Sequence, residues 1–437
     1  MVVCLLVGAV AIPVGYQKRK ADEIARLEQE LAQRCNELQL CLALHSGGRS
    51  LPGGPPPTIA TPPPGAETRC SYPLRRVNLL RSHRTRRRDA QMSCIPRRRF
   101  LYLASGSASL AVTSPLLVSK FHQNNGLDDF RTGALCRVKR KSWALGSTVT
   151  MTALHQDTAI ASAALEAAFS ELETVEQVMS IYRPESQLCR LNRDGRCDDP
   201  HPYLIEVLEA AAAMSQRTQG AFDVTVEPLW QSYWQAHSRG AQPTAAEIAS
   251  ACRRVDWRHV EVTERRIQLL RSGTAVTLNG IAQGYAADRA TEALRRHGVD
   301  QALIDTGEFG ALGQGSDGDG WNVGIQHPRH ADAFVAIANL AGRCLATSGD
   351  YATSFDKSFT THHLFDPHSG RSASELASVS IVAESGLAAD ALSTATFVMG
   401  FDAGRQLVTE TPGVDALFVT KNGQTWTSPG FPIHKKV

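Results

Sequence analysis

From about Trp143 to the C-terminus, stretches with apolar residues every three or four positions alternate irregularly with short β-branched runs. The helical stretches are 158–179, 202–219, 284–297 and 388–399. In the first, Ile160, Ala163, Ala164, Ala167, Ala168, Val175 and Val178 make one apolar face, and Asp157 stands where an N-cap belongs. Gly220 and Gly298 follow the second and third, where helices stop. The strand-like runs are 302–305, 322–326, 334–338, 379–383 and 416–420. No regular βαβ unit and no internal repeat emerges, so the fold class is α+β, with helices packed on mixed sheets.

A chain of 437 residues with 43% hydrophobic and 20% charged residues can bury a substantial core. Its net charge is +3, and the excess is local, at 84–88 and 97–99, so a nucleic-acid partner is not expected. The ten cysteines include no CxxC pair and no Cys/His spacing for zinc. Cys136, Cys189, Cys197, Cys252 and Cys344 read as buried thiols, with a Cys189–Cys197 bridge left open for an oxidising compartment.

Residues 1–91 differ from the rest. The apolar run 2–14 is too short for a membrane span of roughly 20 residues. Residues 21–40 have helical spacing suited to a short coiled-coil piece, and 51–65 are rich in Pro and Gly. The whole stretch reads as disordered or as an over-extended gene model, with translation starting at Met92. Arg97-Arg98-Arg99-Phe100-Leu101 and the weakly apolar 102–118 are similar to a Tat export signal, against the alternative of a basic linker before a buried helix. The expected organisation is a signal segment over 92–125, a linker over 126–142 and the folded domain over 143–437. The expected location is the periplasm, with membrane anchoring if the signal is uncleaved.

Four segments combine glycine, carboxylate and hydroxyl residues at element boundaries. Gly220-Ala221-Phe222-Asp223-Val224-Thr225 follows a helix and puts an aromatic and a carboxylate at a strand start, suited to a heteroaromatic ring or to a simple cap and turn. Leu278 to Asp288 reads as a strand end, a small-residue turn and a helix start, whose backbone N–H groups suit phosphate oxygens. It is neither GxGxxG nor a P-loop. Ala346 to Tyr351 is followed by His362-His363-Leu364-Phe365-Asp366-Pro367. If extended, the adjacent histidines point to opposite faces, which makes a poor joint metal site but leaves one free to act as a base. In the fourth segment, Asp390, Ser393 and Thr394 share a helix face, a donor set for Mg²⁺ or else a cap with back-bonded hydroxyls.

In this order, and with Met179-Ser180-Ile181-Tyr182-Arg183-Pro184-Glu185-Ser186 ahead of them, the segments resemble the ApbE family of FAD:protein FMN transferases. The resemblance runs from about Trp143 to the C-terminus and implies an ApbE-like (T-fold-like) domain. It implies Mg²⁺-dependent transfer of FMN from FAD to a threonine hydroxyl of a partner flavoprotein, with release of AMP. His363 would be catalytic. Leu145, Tyr182, Ala221, Phe222, Asp223, Thr277, Gln283 and Phe365 would contact FAD, and Gly280, Asp390, Ser393 and Thr394 would hold the metal. Departures from the family pattern are Thr277 for an aspartate, Gln283 for a lysine or glutamate, Leu145 for a methionine, and Gly307-Glu308 for Gly-Gly. The twin arginines, Asn-Gly-Ile-Ala-Gln-Gly-Tyr and Asp305-Thr306-Gly307-Glu308 look most like the branch that accompanies nitrous oxide reduction, whose acceptor is membrane-bound. The alternatives are an Mg²⁺-dependent FAD pyrophosphatase and a non-catalytic FAD-binding accessory protein.

Overall fold

The computed structural model describes residues 130–132 and 135–436, so the expectations for 1–91 and 92–125 lie outside the described residues. In chain order the elements are β1 (Phe130–Thr132), β2 (Leu135–Ala144), β3 (Ser147–His155), α1 (Thr158–Met179), α2 (Gln187–Asp194), β4 (Arg196–Asp198), α3 (Pro202–Arg217), α4 (Glu227–Ser238) and α5 (Ala245–Cys252). Then come β5 (Val260–Thr263), β6 (Arg266–Leu269), α6 (Ala282–Arg296), β7 (Gln301–Asp305), β8 (Phe309–Leu312), β9 (Trp321–His327), β10 (His330–Leu340) and β11 (Cys344–Gly349). The last are β12 (Phe365–Asp366), β13 (Arg371–Ser372), β14 (Leu376–Ala383), α7 (Gly386–Met399), α8 (Phe401–Thr409), β15 (Asp415–Thr420), β16 (Thr425–Thr427) and β17 (Ile433–Lys436).

One nine-stranded sheet runs β1-β2-β3-β7-β8-β11-β14-β15-β16. Its neighbours pair antiparallel throughout, so the expected combination of helices and sheets is present but the strand directions are not mixed. Helices cover one face. Ala161, Ala164, Leu165, Ala168 and Leu172 of α1 share a core with Ala286, Ala287 and Ala290 of α6 and with Val149, Met151 and Ile304 of the sheet. Alanines on both helices allow close approach, and Asp157 caps α1 by accepting the Ala159 N–H at 2.7 Å.

The folded domain begins earlier than the sequence suggested. Residues 126–142 were expected to be linker, yet β2 pairs with β3 from Cys136↔His155 to Ala144↔Ser147. The basic residues Arg137 and Lys141 occupy the exposed side of this strand, while Cys136 and Val138 are buried. Two expected strands are also absent. The stretch expected to end as a strand at Leu278 joins no ladder: the Asn192 side chain binds both the N–H and the carbonyl of Val276 at 2.7 Å, and Thr277 N donates to Val224 O at 2.8 Å. After Gly220 the chain turns rather than starting a strand. Cys189 and Cys197 are both buried and form no disulfide with each other.

Register places several turns at one end of the sheet. Thr150↔Asp305 sets the β2–β3 turn at Leu145-Gly146 beside the β7–β8 turn at 306–308. Leu345↔Phe309 and Gly349↔Ser378 bring the end of β11 and the start of β14 to the same end.

Candidate active site

At that end, α6 and α7 cap each other. Gly284 N of α6 donates to Asp390 Oδ2 of α7 at 2.9 Å, while Gly386 N and Leu387 N of α7 donate to the Asp288 carboxylate of α6 at 2.6 and 2.9 Å. Backbone N–H groups at a helix start have no partner within the helix, and a carboxylate there also meets the positive end of the helix dipole. The sequence suggested that the α6 N-terminus would serve phosphate; instead Gly284 N is taken by Asp390. Both contact positions are glycine because the backbones touch: a methyl group on either Gly284 or Gly386 would overlap the other's carbonyl. Burial pushes the Asp390 carboxyl up to about 7, opposed by the backbone N–H groups of Gly284 and Gln283.

This crossing brings the expected metal residues together. A Cβ on Gly280 would lie 2.8 Å from Thr394 Oγ1, so the small-residue turn sits directly on α7. Ser393 Oγ donates to the Asp390 carbonyl at 2.9 Å. Ser348, at the end of β11, lies 2.8 Å from Ser393 Oγ and 3.2 Å from Thr394 Oγ1. Glu308 completes the group, accepting Thr347 N at 2.9 Å. Burial, and then the charge of Asp390, hold the Glu308 carboxyl well above the usual range. The sequence did not place Ser348 or Glu308 beside these residues, because long-range strand pairing brings them there.

The two histidines divide as alternation suggested. His362 is fully buried: its Nδ1 accepts Leu364 N at 3.3 Å, so Nε2 carries the proton and donates to Ala373 O at 2.9 Å. Its ring stands edge-on to Phe397 of α7, 5.6 Å away. His363 is half-buried, with Nδ1 3.2 Å from the Thr353 carbonyl. A carbonyl only accepts, so the proton is on Nδ1 and Nε2 presents the lone pair. Desolvation lowers this imidazole to about 4, keeping it neutral. The loop bearing Thr353 is anchored by Asp350, fully buried and paired with Arg329 through contacts of 2.7 and 2.8 Å.

The expected flavin residues form a second set of linked segments. Asn279 Nδ2 donates to Tyr182 OH at 3.4 Å, next to Gly280. Asp223 is buried and fully used: Oδ1 accepts from Thr225 N and Oγ1 at 2.7 and 2.6 Å, and Oδ2 accepts Trp257 N at 3.0 Å. Its role is to shape the loop. That loop meets the 366–370 turn where His368 Nε2 donates to Gln219 O at 3.2 Å. Ala221 is half-buried beside it, whereas Phe222 packs in the main core. Phe365 is also enclosed, its ring 4.6 Å from Tyr233 and 6.4 Å from Phe355. Gln283 Nε2 donates to Thr306 O at 3.1 Å, tying the α6 start to the β7–β8 turn. Leu145 sits at the β2–β3 turn with φ +52°.

The ApbE family profile matches residues 145–418, which span every segment of this site. The chain belongs to the ApbE family. Among ApbE-family relatives, the FAD:protein FMN transferase of Treponema pallidum is 31% identical over 323 residues, covering 68% of this chain and 85% of its own. That of Klebsiella pneumoniae is 30% identical over 293 residues, covering 64% and 87%. The flavinyl transferase ApbE of Pseudomonas stutzeri, in its apo form, superposes with a TM-score of 0.61 at 29% identity, covering 69% of this chain and 97% of that one. The ApbE protein of Thermotoga maritima gives 0.60 at 28% identity, covering 67% and 97%. Of the two positions noted as departures, Gln283 makes its link through its side chain, whereas Thr277 does so through its backbone N–H. Thr277 ties the 279 turn to Val224, and Gln283 holds the turn that carries Glu308.

Proposed function

We propose that this chain transfers FMN from FAD to a threonine hydroxyl of an acceptor protein and releases AMP. Family membership and the FAD:protein FMN transferases among its relatives support this reading. The observation that carries it is the meeting of Gly280, Asp390, Ser393 and Thr394 at the reciprocally capped α6–α7 crossing.

The donor chemistry fits Mg²⁺. Carboxylate, hydroxyl and backbone carbonyl oxygens are hard ligands, and Mg²⁺ takes one or two carboxylates while substrate phosphates fill the remaining positions. Gly280, Asp390, Ser393 and Thr394 would hold the ion, which supplies charge neutralisation at the pyrophosphate.

In the reaction, His363 Nε2 accepts the proton of the threonine hydroxyl as its oxygen attacks the FMN-side phosphorus. The bond to the AMP oxygen breaks and AMP leaves with the electron pair. Tyr182 and the Ala221–Asp223 loop border the flavin nucleotide. Export by the Tat route, a periplasmic location, a membrane-bound acceptor and a place in the branch accompanying nitrous oxide reduction extend the same proposal. They rest on Arg97-Arg98 and on the motifs around 280 and 305–308.

The test is incubation of the protein with FAD, Mg²⁺ and candidate periplasmic flavoproteins, followed by in-gel fluorescence. Covalent label on an acceptor, lost with EDTA, is expected. No label on any acceptor, with FAD left intact, would refute the reading.

A further inference from the structure

We propose that Glu308 supplies a second carboxylate ligand to the divalent-cation site formed by Gly280, Asp390, Ser393 and Thr394. The inference rests on the Mg²⁺ reading of that site. Its starting point is the position of Glu308, a carboxylate in the β7–β8 turn.

Three contacts aim that turn at the site. Gln283 Nε2 holds Thr306 O at 3.1 Å, and a Cβ on Gly307 would lie 2.8 Å from the same nitrogen, so the turn rests on the first turn of α6. The next residue of that helix, Gly284, carries the N–H that binds Asp390. Glu308 Oε2 is fixed by Thr347 N at 2.9 Å, and the adjacent Ser348 touches Ser393 and Thr394. Glu308 is thus tied, through the backbone of Thr347, to the strand end whose Ser348 touches Ser393 and Thr394. One of its oxygens is oriented by backbone, as ligating carboxylates commonly are. No Lys or Arg ion pair to either Glu308 or Asp390 is formed among the described residues. A half-buried carboxylate and a buried one beside hydroxyls, with no Lys or Arg ion pair to either among the described residues, make a site of high charge density for a hard dication.

Titration of the full-length protein with Mn²⁺ in the absence of FAD, followed by electron paramagnetic resonance, reads ion binding apart from turnover. Glu308→Gln keeps an oxygen for Thr347 N–H and removes the charge. The expected result is at least tenfold weaker Mn²⁺ binding, with the Tm in EDTA unchanged because the amide keeps the size and the acceptor for Thr347 N–H. Asp390→Asn serves as the reference for the site. If wild type binds and Asp390→Asn does not, while Glu308→Gln binds like wild type, Glu308 is not a ligand and the metal reading survives. If wild type itself binds no Mn²⁺, with or without FAD, the metal reading fails and this inference with it.

Discussion

Gly284 donates its backbone N–H to the Asp390 carboxylate at 2.9 Å, and the same glycine leaves no room for a side chain against Gly386. One residue therefore both orients the key carboxylate and permits the approach of α6 to α7. Because Asp288 makes the reciprocal contacts to Gly386 and Leu387, the crossing is locked from both sides. The lock sets Thr394 of α7, one of the proposed metal ligands, against Gly280.

Gly284→Ala should break it. The added methyl meets backbone, which cannot rotate away, so α7 must shift. A loss of about 3 kcal/mol or more is expected, at the upper end for overpacking. Urea denaturation measures it, and FMN transfer by the residual folded fraction should be strongly reduced. Wild-type stability with wild-type transfer would show that the helices tolerate separation.

Asp223→Asn should raise the KM for FAD roughly tenfold while changing kcat little. Both Asp223 oxygens accept, and the amide would present a donor to either Trp257 N or Thr225. Steady-state kinetics with FAD varied checks this; a pure kcat effect would instead place Asp223 at the reacting atoms.

His363→Ala should lower transfer by about 10² to 10⁴, the usual worth of a general base, with FAD binding retained. Since desolvation holds the imidazole at about 4, kcat/KM should keep its base active well below pH 6.5. An inflection near 6.5 that disappears in the variant would mean that the ring is solvated in the working enzyme.

Much of this architecture was legible in the sequence, for local reasons. Asp157 and the apolar face behind it set the start of α1, and Met179 its end. Asp390, Ser393 and Thr394 share the α7 face that helical spacing assigned them. What was hidden is non-local. Residues 126–142 were read as linker because the lysines and arginines within 135–142 mask the alternation of a strand that is exposed on one side. Leu278 reads as a strand end, but Asn192, 84 positions from Val276, takes the hydrogen bonds of Val276 that a ladder would use. Glu308 and Ser348 joined the site only once strand register was known.

Glu227 gives a pH dependence of stability unconnected with catalysis. This carboxyl lies in the first turn of α4, and burial pushes it from 4.5 up to about 8, eased slightly by Gln231. A carboxyl raised on folding binds its proton more tightly in the native state, so stability is greatest below about pH 4.5 as far as this group is concerned. It falls as pH rises toward 8, by at most about 1.4 kcal/mol per pH unit. Glu227→Gln should flatten that decline in denaturation curves recorded from pH 5 to 8. An unchanged slope would assign the dependence elsewhere.

A single-turnover reaction with FAD, Mg²⁺ and an acceptor, analysed for both products, bears most directly on the central claim. AMP should appear in a one-to-one ratio with acceptor peptide carrying FMN on a threonine, and Asp390→Ala should yield neither. AMP appearing with an equal amount of free FMN and no modified threonine would contradict the account, because water rather than protein would then be the nucleophile at this site.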